Sequence, residues 1–221
     1  MLLAVDTSTA QMGLALYDGA QVKGEFAWHS NRRHTVELAP AIDDLLRRCG
    51  FTMEDVRALG VALGPGSFTS LRVGLSLAKG LALARHLPLI GIPTLDILAA
   101  AHPLSKIPLV AVIRAGRGRL AAGWYKSSKN GWQAKGPARV VNAEALFEEI
   151  ESPALVCGEL TSEERKKLSE KAEIHLASPA QSVRRPAILA ELAWARWQDG
   201  KIDDEASLAP IYLHVAESIP T

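Results

Sequence analysis

Asp6, Thr7, Ser8 and Thr9 put one carboxylate and three hydroxyls in a row, directly after the apolar residues 2–5. Such a set can order magnesium through the carboxylate while hydroxyls and backbone amides hold phosphate oxygens. The same four residues also suit a hydrogen-bonded Asx turn that binds nothing. A second candidate is Gly64-Pro65-Gly66-Ser67-Phe68-Thr69-Ser70, where a strand-like run hands over to a helix-like one. Free amides and the positive helix end meet at such a junction, which favours anions. The spacing is not that of a Walker loop, because Thr69 stands five residues after Gly64 and the first lysine beyond is Lys79. Nor is it Gly-x-Ser-x-Gly, since Thr69 occupies the last glycine position. Ser67, Thr69 and Ser70 most simply cap the helix that follows.

Metal chemistry has little to work with. No two of the six histidines, at 29, 34, 86, 102, 175 and 214, stand three or four residues apart, so no paired imidazole ligands lie on one helix face. No general base stands out either. Glu37, Asp43, Asp44 and Asp96 fall on helix-like segments, where a solvated face is the ordinary explanation. Catalytic residues and metal ligands are therefore both expected to be none.

The chain that must position these groups has 221 residues, 48% of them hydrophobic, enough for one large domain or two lobes. A formal charge of +1 demands neither nucleic acid nor a membrane surface. Cys49 and Cys157 are too few for a disulfide framework. The opening lacks a basic leader and meets Asp6 after a short apolar run, and no apolar run is long enough to span a bilayer. A cytoplasmic protein with no membrane partner is expected.

Periodicity gives a strand at 2–5 and two more joined at Asp18-Gly19. A helix follows over 35–50, with Val36, Leu38, Ala39, Ile42, Leu45 and Leu46 on its apolar face and Pro40 in a first turn. Strands at 57–63 and 88–92 alternate with helices at 70–86 and 94–102. After Pro103 the order begins again: three strands broken at Gly116–Gly118 and Asn130-Gly131, a helix at 143–150, a strand in "ALVCG", a charged helix at 162–171 and a short strand in "EIHLA". A last helix, "ILAELAWARWQDG", buries Leu189, Leu192, Ala193 and Trp197. Two βββαβα units in tandem make an α/β chain whose arrangement resembles the actin-like and sugar-kinase-like phosphotransferase folds. The expected lobes are 1–103, carrying a partner interface, and a smaller 104–221, whose final helix and tail pack back on the first. "DTST" and "RAGRGR" then face each other across a cleft.

"LLAVDTST", "HSNRRHTVELAPAIDDLL", "LGVALGPGSFTSLRVGLSLAKGLA" and "PLIGIPTLDILA" together resemble the bacterial family of tRNA threonylcarbamoyladenosine biosynthesis proteins TsaB, also called YeaZ. The match is dense over residues 1–100; beyond, it lies in element order and in "APIYLH", where His214 stands for the usual arginine. That family is similar to TsaD, which moves a threonylcarbamoyl group onto adenosine 37 of tRNAs reading ANN codons. Laying TsaD's metal-binding His-x-x-x-His on "GIPTLDIL" puts Thr94 and Leu98 at the imidazole positions. Family members often read Asp-Ala-Arg where this chain has Arg114-Ala115-Gly116. The resemblance implies a non-catalytic scaffold that pairs with TsaD, recruits the ATPase TsaE and meets tRNA only within the complex. It implies no cofactor of its own, with ATP or ADP confined to the shared complex. A degenerate nucleotide site would use Asp6, Thr7, Ser8 and Thr9. The alternative is a small actin-fold ATPase or kinase using the Asp6 loop.

Gly74, Ala78 and Ala82, with Ser76 and Gly80 nearby, leave one helix face almost without side-chain bulk, so another helix, from this chain or a partner, can pack closely there. By resemblance the first two helices meet TsaD, and the same surface serves for a homodimer. Its outward candidates are His34, Leu38, Leu45, Phe68, Leu71, Arg72, Leu75 and Lys79, beside the small residues. Arg32-Arg33, Arg117-Arg119 and Arg184-Arg185 are short basic pairs that could touch tRNA or simply be solvated surface.

Overall fold

A computed structural model describes residues 1–31, 33–116 and 118–213. The buried run Leu2–Asp6 (β1) is apolar on both faces because it is central: it pairs antiparallel with β2 (Gln11–Tyr17) and parallel with β4 (Ala58–Ala62). With β3 (Val22–His29) and β5 (Leu89–Ile92) it forms a sheet of order β3-β2-β1-β4-β5. The second half repeats that order. Its centre is β6 (Leu109–Arg114), between β7 (Leu120–Ser128) and β10 (Ala154–Gly158), with β8 (Gly131–Ala134) and β11 (Ile174–Leu176) outside. The expected third strand of this half is split. β8 pairs with residues 125–128 of β7, and a separate β9 (Arg139–Val141) pairs with residues 120–122.

Each sheet has helices on both faces. α1 (His34–Arg48) and α2 (Phe68–Arg85) cover one face of the first sheet, and α4 (Ala143–Glu149) and α5 (Ser162–Leu168) cover one face of the second. The two remaining helices are exchanged. α3 (Thr94–Ala100), made in the first half of the chain, sends Leu95, Leu98 and Ala99 into the core of the second sheet. α6 (Pro186–Gln198) returns to the first sheet with Leu189, Ala190 and Ala193 fully buried. Leu192 and Trp197 are only half-buried, a correction to the expected face of α6: the helix turns its alanines to the strands, and Trp194 stacks edge-on against Tyr17 and Trp197.

α1 also differs from its expected face. The buried stripe runs His34, Leu38, Ile42, Leu45 and Leu46, whereas Val36 is 59% exposed and Ala39 is exposed. The helix starts at His34, so Pro40 lies in its second turn rather than its first. The backbone bond that Pro40 cannot make falls on the side where Val36 and Pro40 meet solvent.

Asp96 is not on a solvated face. It sits on α3 against β7 and accepts a 2.7 Å hydrogen bond from the Tyr125 hydroxyl. Burial pushes its carboxyl above the usual range, and the Tyr125 bond offsets only part of that. A carboxyl raised on folding contributes stability at low pH that is lost as pH rises through the folded value. Asp96→Asn keeps an acceptor for Tyr125 and removes the buried charge. It should raise the urea midpoint relative to the parent at pH 8, with the gain shrinking toward pH 4; equal midpoints at pH 8 would contradict this.

Candidate functional site between the lobes

The carboxyl ends of β1 and β10 meet at one buried guanidinium. Arg184, whose side chain is 1% exposed, donates from Nε to Asp6 Oδ2 at 2.8 Å and from Nη2 to Thr9 Oγ1 at 2.9 Å and the Gln11 carbonyl at 2.8 Å. Its Nη1 pairs with Glu159, the residue after β10. Burial works against the guanidinium's charge, but the carboxylates of Asp6 and Glu159 outweigh it and hold the proton more tightly than usual. Asp6 Oδ1 accepts from the Ser8 amide at 2.8 Å, and Glu159 accepts the Thr9 hydroxyl at 2.6 Å and the Arg114 amide at 3.0 Å. The Arg114 side chain turns to Glu164, donating to its two oxygens at 2.7 and 2.6 Å.

The remaining hydroxyls of the first turn are also engaged. Thr7 Oγ1 donates to the Ser70 carbonyl at 2.7 Å, and Ser8 Oγ lies 2.7 Å from Thr94 Oγ1, which accepts from the Gly64 amide at 2.9 Å. His34 Nε2 donates to the Thr9 carbonyl at 2.9 Å. Asp6, Thr7, Ser8 and Thr9 thus form a buried hub joining β1, α1, α2, α3 and the second lobe. Of the four, Thr9 lines the adjoining cavity of about 850 Å³, shared with Ser67, Phe68, Arg114, Arg119 and Tyr212. The two hairpin loops therefore face one space.

Gly64–Ser70 is a corner that starts α2. Ser67 Oγ accepts from the Ser70 amide at 3.5 Å, and the Ser67 amide donates to the Ser8 carbonyl at 2.7 Å. The small-residue face of α2 has a different cause from the expected one. A Cβ on Gly74 would stand 2.2 Å from Thr7 Oγ1, so the close neighbour is the Asp6–Thr9 turn and not another helix. Ala78 and Ala82 are buried in the first lobe's core.

Most outward candidates are likewise interior. Leu38, Leu45, Leu71, Gly74, Leu75, Ala78 and Ala82 are buried, as is His34. Each packs inside this chain, because the stripe facing the strands has the same period as one facing a partner. Phe68 is 54% exposed, Arg72 is exposed with its guanidinium stacked over Phe68, and Lys79 is half-buried.

Arg184 is buried and Arg185 grips Glu25, while Arg33 is exposed and reaches Glu37 at 3.8 Å. Arg32, Arg117 and His214 lie outside the described residues. Sequence reasoning missed Arg184 and Glu159 as site residues. Asp6 stands 178 positions before Arg184, and no local pattern marks either partner.

Comparison with known proteins follows the same lines. The family described as "TsaD: tRNA N6-adenosine threonylcarbamoyltransferase" matches residues 27–187. A Bacillus subtilis tRNA threonylcarbamoyladenosine biosynthesis protein TsaB is 31% identical over 98% of this chain and 95% of its own length. This chain belongs to the TsaB family. The Escherichia coli TsaB is 33% identical over 68% of this chain and 66% of its own. The solved structure of YeaZ from Pseudomonas aeruginosa overlays with a TM-score of 0.79 at 25% identity, covering 96% of this chain and 99% of that one. A ROK hexokinase from Thermus thermophilus, at 13% identity and a TM-score of 0.50, covers 90% of this chain and 99% of its own and shares the fold alone. The TsaB-family fold is thus actin-like. Within it Thr94 is fully buried in the hub and Leu98 in the second lobe's core. Among the described residues, no helix is long and apolar enough to cross a membrane.

Proposed function

We propose that this TsaB-family chain is a non-catalytic partner of a TsaD-type threonylcarbamoyltransferase in forming t6A at position 37 of tRNAs reading ANN codons. It works in the cytoplasm as an architectural subunit, favouring a competent state of the transferase by binding it better than other states. TsaE joins the assembly, tRNA meets this chain only there, and any ATP or ADP belongs to the shared complex. The observation that carries this reading is Arg184. It occupies Asp6 and Glu159 together, so the carboxylates that an actin-fold kinase would use to hold magnesium are already neutralised from within. That weighs against the ATPase alternative, which needs Asp6 facing the cleft.

Reconstitution tests it. With purified transferase and the other pathway enzymes, tRNA modification should fall at least tenfold when this chain is left out. Modification at full rate without it rejects the reading.

The surface proposed for the transferase is the exposed rim of α1 and α2. Phe68 stands out there beside Arg72, over a shallow groove of about 460 Å³ lined by Thr35 and Ala39 of α1 and by Val73 and Leu77 of α2. The double variant Ala39→Glu/Phe68→Glu should abolish co-elution with the transferase while lowering unfolding free energy by less than about 1 kcal/mol, as for other exposed positions. Retained co-elution would move the interface elsewhere. Native mass measurement of the parent alone separates a homodimer through the same rim from a free monomer.

A further inference from the structure

We infer that Arg184 is a tethered cation that holds the two lobes shut, so that closure of this cleft requires no ligand. Its partners divide between the lobes: Asp6, Thr9 and Gln11 belong to the β1–β2 hairpin of the first, and Glu159 follows β10 of the second. The Thr9 hydroxyl repeats the crossing by donating to Glu159 at 2.6 Å. The chain itself delivers the guanidinium to this point. Arg184 lies after β11 of the second lobe and just before Pro186, the first residue of α6 on the first, at the place where the backbone passes between lobes. On the other side of it the Ala187 amide and Arg185 both bind Glu25, which fixes the start of α6 to β3.

A diffusible ion or nucleotide closes a cleft only to the extent that it binds the closed form better than the open one, and closure then follows its concentration. A guanidinium carried on the backbone cannot dissociate from the protein. Magnesium does not fit here, because Asp6 Oδ2 accepts from Arg184 and Oδ1 from the Ser8 amide. Five N–H donors in one rigid plane suit a point where two carboxylates, a hydroxyl and a carbonyl converge, whereas a single ammonium could not reach them all. Because the desolvation of two buried charges offsets much of their attraction, this pair is weak evidence for added stability, and the proposal assigns it to fixing the geometry.

The interlobe distance tests this. Spin labels at Glu54→Cys in the first lobe and Lys129→Cys in the second, in a Cys49→Ser background, should give one narrow distance distribution in the parent, unchanged by magnesium with ATP. Arg184→Lys should broaden and lengthen it. So should Asp6→Asn/Glu159→Gln/Arg184→Met, which leaves no unpaired charge to prevent folding. Either variant, folded and still showing the parent's narrow distribution, overturns the proposal, as does a shift of several ångströms in the parent on adding magnesium and ATP. If both variants fail to fold, hydrogen exchange in the unmodified parent decides. The Ser8 and Arg114 amides, bonded to Asp6 and Glu159, should exchange only through global unfolding, and exchange through an easier opening overturns the lock.

Discussion

Arg184→Met should lower the unfolding free energy by about 3–5 kcal/mol, the usual cost of removing one partner from a buried charge network. The methionine fills part of the volume but leaves Asp6 and Glu159 facing each other in a site that solvent barely reaches, with the Thr9 hydroxyl unable to neutralise either. The adjacent residue gives the contrast. Arg185 forms its pair with Glu25 at the surface, its side chain 55% exposed, and Arg185→Met should cost under about 1 kcal/mol. Urea unfolding of both variants at pH 7 measures the difference. Equal losses would mean that the buried network is no more consequential than a surface pair.

The second large effect is expected at Gly66. A methyl group there would lie 2.2 Å from the Ser8 carbonyl oxygen and 3.0 Å from its carbon, both backbone atoms held by the hub. Gly66→Ala must therefore push the corner away from Ser8, breaking the 2.7 Å bond from the Ser67 amide and disturbing the first turn of α2. A cost of about 2–3 kcal/mol follows from overpacking a site that cannot yield. Gly80, inside the same helix with nothing within 4 Å of its added methyl, should behave in the opposite way. Gly80→Ala is expected to stabilise by about 0.5–1 kcal/mol through helix propensity. Thermal unfolding of the pair checks both signs, and a Gly66→Ala protein as stable as its parent would refute the close packing of corner on hub.

The contrast between these residues explains what the amino-acid order could reveal. β1, the Asp18-Gly19 hairpin and the repeat of strands and helices after Pro103 depend on local runs and turn chemistry, so they were legible. The small stripe on α2 was visible as a pattern but not in its meaning. Gly74 is small because Thr7 approaches it, and helical period does not tell a turn from a neighbouring helix. Leu38, Leu45, Leu71 and Leu75 were misplaced for the same reason, since an interior stripe and an interface stripe share one periodicity. Arg184 was hidden more thoroughly. It sits beside Arg185 in the chain, yet one is sealed in the cleft and the other open to water, a difference set by the path of the backbone from β11 into α6. The likeness to the TsaB family lies in whole motifs such as the block around Gly64–Ser70, which no physical reading of single residues supplies.

The exchange of α3 and α6 has a consequence for how the polypeptide is made. Leu2, Ala4, Ala58, Ala62, Ile90 and Ile92 wait for Leu189, Ala190 and Ala193 to cover them. At ordinary translation speeds the nascent chain leaves that greasy surface bare for on the order of ten seconds after β5 has left the ribosome. Neither half cloned by itself would be a sound globule, and a stalled or truncated message would yield a sticky fragment for chaperones and proteases to clear.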